Sequence, residues 1–516
     1  MALQGLFARK PIRQILSETQ THKPQLRRGL GRWHLTALGI GAIIGAGIFA
    51  ATGSAIAGDA VRPGAGPAIV ISFLLTAVTC GFAALCYAEF AAMVPITGSA
   101  YTYAYASLGE LVAWIIGWDL ILEYAVGNIA VAISWSGYFR EFLGNFGWHI
   151  PPWLGIDYRS AHEAAASLAQ GIANPSIVYA ASALTEAPHA FGIPLIINLP
   201  ALGIVALLTA ILVHGIETSA TTNSIMVLVK VGIVLFFIAV GAIFIDPHNY
   251  VSHGGFAPNG FEGISAAAAI IFFSYIGFDA VSTAAEEAYN PQRDMPFAIV
   301  MSLTICTALY ILAAVVMTGM APWDRLGTSE PMLTAFTLSG GNPALLAVAK
   351  FVVSLGAVIA MTTVLLVFQL GQSRIFFAMA RDGLLPPWAT KVHPRFHTPY
   401  VTTIVTGICV ASCAAFADIA EVIDLTNIGT LFAFALVAAG VLVLRYIDPE
   451  RQRPYRTPLV PFVPLAGILS CGYLMLQLPA LTWERFVIWL GAGLVLYFLY
   501  GYRRSSLRNA AAGDKC

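Results

Sequence analysis

The chain has 516 residues, 58% of them hydrophobic and only 10% charged, with a mean hydropathy of +0.77. A soluble protein carries roughly 25% charged residues, so the polar surface needed to cover several soluble domains is missing and the bilayer is the expected solvent. The 27 Lys and Arg balance the 27 Asp and Glu, so net charge points to no nucleic-acid partner, and only the placement of charge is informative.

Residues 1–34 form a polar, basic segment. No cleavable signal peptide is expected, because the first apolar run begins near Leu35, too far in and too long. About twelve segments then reach the ~17–25 apolar residues a spanning helix needs. They centre on Ile44, Phe82, Ala125, Leu207, Val234, Ile271, Ala308, Val358, Ile408, Phe434, Leu469 and Leu494. With the N-terminus inside, the inner segments hold the basic clusters around Arg9–Arg32, Arg374–Arg395, Arg445–Arg456 and Arg503–Lys515. The outer segments hold only Arg62, Arg140, Arg159, Arg325, Lys350 and Arg485. Both termini are therefore expected to be cytoplasmic. The expected organisation is a basic segment (1–34), a transmembrane domain (35–502) and a cytoplasmic tail (503–516). Within the domain, five spans run from about 35 to 245, five from about 263 to 444, and two more from about 459 to 502. The segment from about Arg140 to Pro194 is long, and Ser160–Gln170 reads as a short surface helix. His162-Glu163 has no partner His at helical spacing and is not a zinc motif.

The first span of each group of five contains a glycine interruption: Gly39-Ile-Gly-Ala-Ile-Ile-Gly-Ala-Gly-Ile-Phe49 and Phe272-Phe-Ser-Tyr-Ile-Gly-Phe-Asp-Ala280. A broken helix exposes backbone polar groups, which hydrocarbon does not tolerate unless they line a cavity or meet a ligand. Matching breaks in two halves point to the substrate site of a secondary transporter and to two repeats of opposite topology. A dinucleotide fingerprint is excluded, because no strand precedes the glycines. Close helix packing is the competing use of glycine; it accounts for Gly39 and Gly41 better than for Gly45-Ala46-Gly47. Unwinding over Ile43–Gly47 frees amide N–H groups suited to a carboxylate. The second break, Phe273–Asp279, frees carbonyls suited to an ammonium. Together they match a zwitterion.

Lys230 lies mid-span with no charge nearby in sequence; snorkelling is the ordinary alternative to a functional role. Asp119 and Glu123 share one face of the third span. Glu123 is the deeper, and it is read as pairing with Lys230, carrying a proton, or forming a static ion pair. Glu89 reads equally as a gate or a loop anchor. Met361, before Thr362-Thr363, reads either as the wall of the side-chain pocket, favouring a small neutral substrate such as alanine, or as an ordinary lipid- or core-facing residue.

The stretches Gly41–Phe49, Tyr87-Ala-Glu-Phe-Ala91, Gly98-Ser-Ala-Tyr-Thr-Tyr103, Tyr275–Glu287, Asn290-Pro-Gln-Arg-Asp-Met-Pro296 and Gln372–Leu385 resemble bacterial members of the cationic amino acid transporter branch of the amino acid–polyamine–organocation (APC) superfamily. The resemblance covers nearly the whole membrane region. It implies an all-α membrane protein with a LeuT-like fold: two inverted five-helix repeats, broken first and sixth helices, and two C-terminal helices. It implies proton-coupled import of an L-amino acid across a bacterial cytoplasmic membrane. The substrate carboxylate would sit on Ile44, Gly45, Ala46 and Gly47, and the amine on carbonyls of Ile43, Phe273, Ser274 and Ile276. Lys230 matches the family's fifth-span lysine and Glu123 its acidic third-span residue; with Asp279 they are the expected proton-coupling groups. Ala46 stands where related permeases often have Thr, which removes a hydroxyl donor.

An exchanger or polyamine carrier is the alternative transport reading. A polyamine has no carboxylate and would leave the first break's amides unused. A non-transporting sensor would more naturally carry a soluble output domain. No nucleophile or metal-ligand constellation supports an enzyme, and no cofactor or metal is expected.

Overall fold

The computed structural model describes residues 6–11, 29–59, 61–94, 99–169, 175–190, 192–215, 220–396 and 398–508. Most of the basic N-terminal segment, Gly98, Gln170 and the tail with Cys516 lie outside them. Twelve apolar segments stand at the twelve expected centres among the described residues: nine long enough to cross a membrane and three shorter ones. The first span is α1 (Arg32–Ile43) followed by a π turn and α2 (Thr52–Ala57). The second span is α3 (Ile69–Met93); α4 (Ser99–Ser107) leads into the third, α5 (Glu110–Gly144). The segment that follows carries α6 (Tyr158–Ala169) and α7 (Pro175–Glu186). Spans four to six are α8 (Leu199–His214), α9 (Ala220–Gly241) and α10 (Gly260–Ile271), the last continuing as 3-10 turns. Span seven is α11 (Pro291–Met320), followed by the short α12 (Pro331–Leu338). Spans eight to twelve are α13 (Pro343–Arg381), α14 (Tyr400–Ala414), α15 (Ile419–Ile447), α16 (Phe462–Leu476) and α17 (Ala480–Leu496).

Local chemistry sets several helix starts. Asn198, Asn342 and Asp418 accept amide hydrogens from the first turns of α8, α13 and α15, and proline opens α8, α11 and α13, where no amide partner is needed. The outward side chains are apolar, as lipid contact requires: Leu228, Ile408, Leu469 and Ile488 are all well exposed. Span two packs on span seven, three on eight, and four on nine, and the first and sixth spans meet at their breaks. The long α5 and α13 form the frame against which the breaks sit.

The described residues 145–169, 175–190 and 192–198 build a small helical cap on one face. Its α6 and α7 pack together through Ala161 and Ala183, with Ala187 and Ile196 of the following segment in the same apolar cluster, so the expected surface helix is present with a partner. The cap is tied down by Ser176 Oγ donating to Glu330 Oε1 at 2.6 Å and by Arg159 pairing with Glu421 at the start of α15. Burial pushes the Asp157 carboxyl, beside Ser160, up to about 6. On the opposite face residues 7–10 and 497–508, the described stretches nearest the two chain ends, meet. Lys10 pairs with Asp382 at 3.0 Å, and the buried Glu110 receives Tyr105, Tyr497, Ser505 and Arg508.

Glu89 proves to be an anchor. It accepts Arg445 through both oxygens at 3.1 and 2.7 Å, and Thr457 N at 2.7 Å, with Arg453 Nε at 3.3 Å. It thereby fixes the loop with Pro454-Tyr-Arg-Thr-Pro458 to α3 and α15. Removing one member of a buried pair leaves the other uncompensated, at a cost of about 3–5 kcal/mol. Glu89→Gln is expected to approach that loss, read as a lowered melting midpoint in detergent; an unchanged midpoint would show the network to be dispensable.

Candidate functional site

The first break opens at Ile44, whose backbone is extended (φ −73°, ψ 100°), and the helix resumes as a π turn at Gly47. In an unbroken helix the carbonyls of Gly41, Ile43 and Ile44 would accept the amides of Gly45, Gly47 and Ile48. Here other donors hold them. Lys230 Nζ donates to Gly41 O at 2.6 Å and to Ile44 O at 3.3 Å, and Tyr310 Oη donates to Ile43 O at 2.9 Å. The displaced amides lead the second half-helix, where the backbone dipoles favour an anion.

Lys230 is therefore not snorkelling: it is 1% exposed and reaches across to the broken backbone. The expected pairing with Glu123 is not found. The Lys230 ammonium is held by two carbonyls instead, and Glu123 Oε2 has no hydrogen-bond partner. The reason is geometric: the two helices present these groups to different neighbours, and Glu123 has Asp279 and Asp119 beside it.

The second break runs from the 3-10 turn Phe272–Tyr275 through extended Ile276 to Gly277, at φ +114°. A side chain is excluded at Gly277 by conformation, and by Ala42 C and O, each 2.9 Å from where a Cβ would stand. A Cβ at Gly47 would overlap the Cα of Ser274, so the two breaks cross in backbone contact. Gly39 and Gly41 are packing glycines, set against Ser302 and Val227. The Phe273 carbonyl takes the Ile276 amide at 3.4 Å, while Asn427 Nδ2 holds the carbonyls of Ala269 and Ile270 just before the break. Ser274 Oγ is buried without a partner. Asp279 folds back so that its carboxylate meets the amides of Gly277, Asp279 and Ala280, leaving Oδ2 unpartnered.

Thus Ile44–Gly47 and Phe273–Ile276 do come together. The carbonyls of Ile43 and Phe273, expected to hold an amine, each already accept one hydrogen bond and retain one lone pair. Val364 of α13 lies 3.0 Å from where a Cβ on Gly45 would stand. Met361, one turn earlier on that face, is fully buried, which removes the lipid-facing alternative. Tyr310 was missed in the sequence; the only signal there is a hydroxyl inside an otherwise apolar span. Tyr138, whose hydroxyl donates to Phe49 O at 2.6 Å, was missed for the same reason.

Residues 30–497 match the family model described as amino acid permease. The branched-chain amino acid permease BcaP of Bacillus subtilis is 44% identical over 98% of this chain and 99% of its own length. The methylthioribose transporter of the same organism is 42% identical over 98% of this chain and 100% of its own. Human cationic amino acid transporter 4 is 37% identical over 88% of this chain and 64% of its own. Matched over nearly its whole length, this multi-pass membrane protein belongs to the amino acid permease family of the APC superfamily and is a transporter rather than an enzyme.

Proposed function

We propose that the protein imports a neutral L-amino acid by proton symport, with alternating access through two inverted five-helix repeats. The observation that carries this reading is the meeting of the two breaks. One offers amides at a half-helix N-terminus to a carboxylate, and the other offers carbonyls to an ammonium. Pairing of spans two, three and four with the spans five later is what a pseudo-twofold relation between repeats produces. The Lys230 ammonium occupies carbonyls that a metal cation would otherwise take, which favours protons over sodium as the coupling ion. The stretches 7–10 and 497–508 on one face agree with an even number of spans, and the positive-inside rule supports a cytoplasmic location for that face in a bacterial cell.

The second reading is a sugar thioether as cargo, favoured by the near-equal similarity to a methylthioribose transporter. Such a substrate has neither carboxylate nor ammonium and would leave both breaks unused. Uptake of labelled leucine and alanine into proteoliposomes, with an imposed pH gradient, a sodium gradient or neither, and with unlabelled methylthioribose as competitor, separates the readings. Amino acid accumulation under the pH gradient alone is expected. Uptake that requires preloaded amino acid would make the protein an exchanger, and strong competition by methylthioribose would favour the second reading.

Side-chain selection falls to Met361. Met361→Ser shortens the wall beside the first break and is expected to admit longer side chains. Deleting a few methylene-sized contacts in such a pocket shifts selectivity by roughly 10–200-fold. A competition profile identical to that of wild type would remove Met361 from the pocket.

A further inference from the structure

The acidic face of α5 carries a carboxyl for which the transport reading has no use. Asp119 is 0% exposed, and neither of its oxygens has a hydrogen-bond partner. Gly429 of α15 packs directly on it, with a would-be Cβ 2.7 Å from Oδ1. A side chain there would press carbon onto the carboxyl, and glycine avoids that contact. A charge in a dry interior needs a counter-charge; with no cation at hand, the counter-charge this carboxyl can acquire is a proton.

Its acidic neighbours are buried as well. Glu123 stands one turn along the same face of α5, with Asp119 and Asp279 as its charged neighbours. Glu123 Oε2 and Asp279 Oδ2 are unpartnered too. The Tyr87 hydroxyl, fully buried and also unpartnered, faces both Glu123 and Asp279. From α15, Thr430 faces the same space, its own hydrogen donated to Thr426 O at 3.0 Å. Among the described residues no Lys, Arg or His forms an ion pair with any of the three carboxyls. Along α5, Asp119 lies nine residues from Glu110, about 13 Å at helical rise. Glu110 sits on the face where residues 7–10 and 497–508 meet, so Asp119 lies between that face and the site.

We propose that Asp279, Glu123 and Asp119 form a proton relay, with Asp119 its last buried station before that face. This rests on the proton-coupled reading above. The two carboxyls stand apart here, both Asp119 oxygens and Glu123 Oε2 being unpartnered, so the inward step requires Asp119, once it has released its own proton, to come within hydrogen-bonding distance of Glu123; the O–H bond of the Glu123 acid then breaks and a new O–H bond forms on the Asp119 carboxylate. Glu123 is left anionic, ready for a proton from Asp279, its other acidic neighbour. Asp119 then gives its proton to water that reaches it from the chain-end face when the path opens to that side.

The test compares wild type with Asp119→Asn, whose amide keeps the shape and cannot carry the proton. Two assays are run in proteoliposomes: accumulation driven by a pH gradient, and counterflow exchange, which needs no net proton movement. The expected result is a fall in driven accumulation on the order of a hundredfold, the scale of a lost proton-transfer group, with counterflow within about twofold of wild type and flat with pH. Driven accumulation equal to wild type would overturn the relay while leaving symport intact. Wild type that fails to accumulate under the gradient would overturn symport and the relay together. If the variant loses counterflow as well, wild type decides through a carbodiimide that modifies protonated carboxyls in apolar surroundings. Modification of Asp119 at acid but not alkaline pH supports proton exchange there, and a pH-independent result overturns it.

Discussion

Lys230→Ala is expected to abolish accumulation driven by a pH gradient while leaving measurable substrate counterflow. The Lys230 ammonium is the shared donor to Gly41 O and Ile44 O. Without it, two buried carbonyls at the first break lose their partner, at about 1–3 kcal/mol for each group left unsatisfied. The break would relax toward a continuous helix, because the freed carbonyls can take back the amides of Gly45 and Ile48. That recapture removes the very donors assigned to the substrate carboxylate, so apparent affinity should fall together with coupling. Melting in detergent and paired accumulation and counterflow assays measure the two consequences separately. Full accumulation by the alanine variant would mean that the coupling proton is carried elsewhere, with Glu123 and Asp279 the next groups to test.

Gly47→Ala should damage the protein more than any other single methyl addition at the first break. The new Cβ would overlap Ser274 Cα, a backbone atom that no rotamer change can move. Relief requires the two breaks to separate, and overpacking of this kind costs about 1–3 kcal/mol or more. Two controls grade the effect. At Gly45 the obstacle is a methyl of Val364, 3.0 Å away, which a side-chain shift can relieve. At Gly232 nothing lies within 4 Å, and a helical Gly→Ala change stabilises by up to about 1 kcal/mol. The expected order of melting midpoints is Gly232→Ala, then Gly45→Ala, then Gly47→Ala, with transport lost in the last. A Gly47 variant that transports normally would separate the breaks from the substrate path.

The sequence made the membrane architecture readable because bilayer-length apolar runs and basic loops are local features. The glycine breaks were readable for the same reason: Gly45 and Gly277 are conspicuous inside apolar spans. What the sequence left open depends on contacts between distant segments. Lys230 was identifiable as anomalous, but the carbonyls it binds lie 186 and 189 residues away, and depth along a helix says nothing about which neighbour its face meets. Hence, of the readings open for Glu123, the pair with Lys230 is not formed although both residues are buried. Tyr310 hid among ordinary aromatic residues until its hydroxyl was seen to cap Ile43 O. Glu89 was undecidable until Arg445 and Arg453, more than 350 residues later, were placed against it. The cap was visible as an expanded segment, but its attachment to Glu330 and Glu421 was not.

Recognition of one zwitterion across two helix breaks is tested most directly by competition with truncated substrates. Displacement of labelled leucine would be titrated with leucine, with leucinamide, which lacks the carboxylate, and with 4-methylpentanoate, which lacks the amine. Leucine is expected to compete, and both truncated compounds to lose at least about a hundredfold in affinity, because each leaves one set of buried backbone groups unpaired. Competition by either truncated compound equal to that of leucine would contradict it, since one of the two breaks would then play no part in recognition.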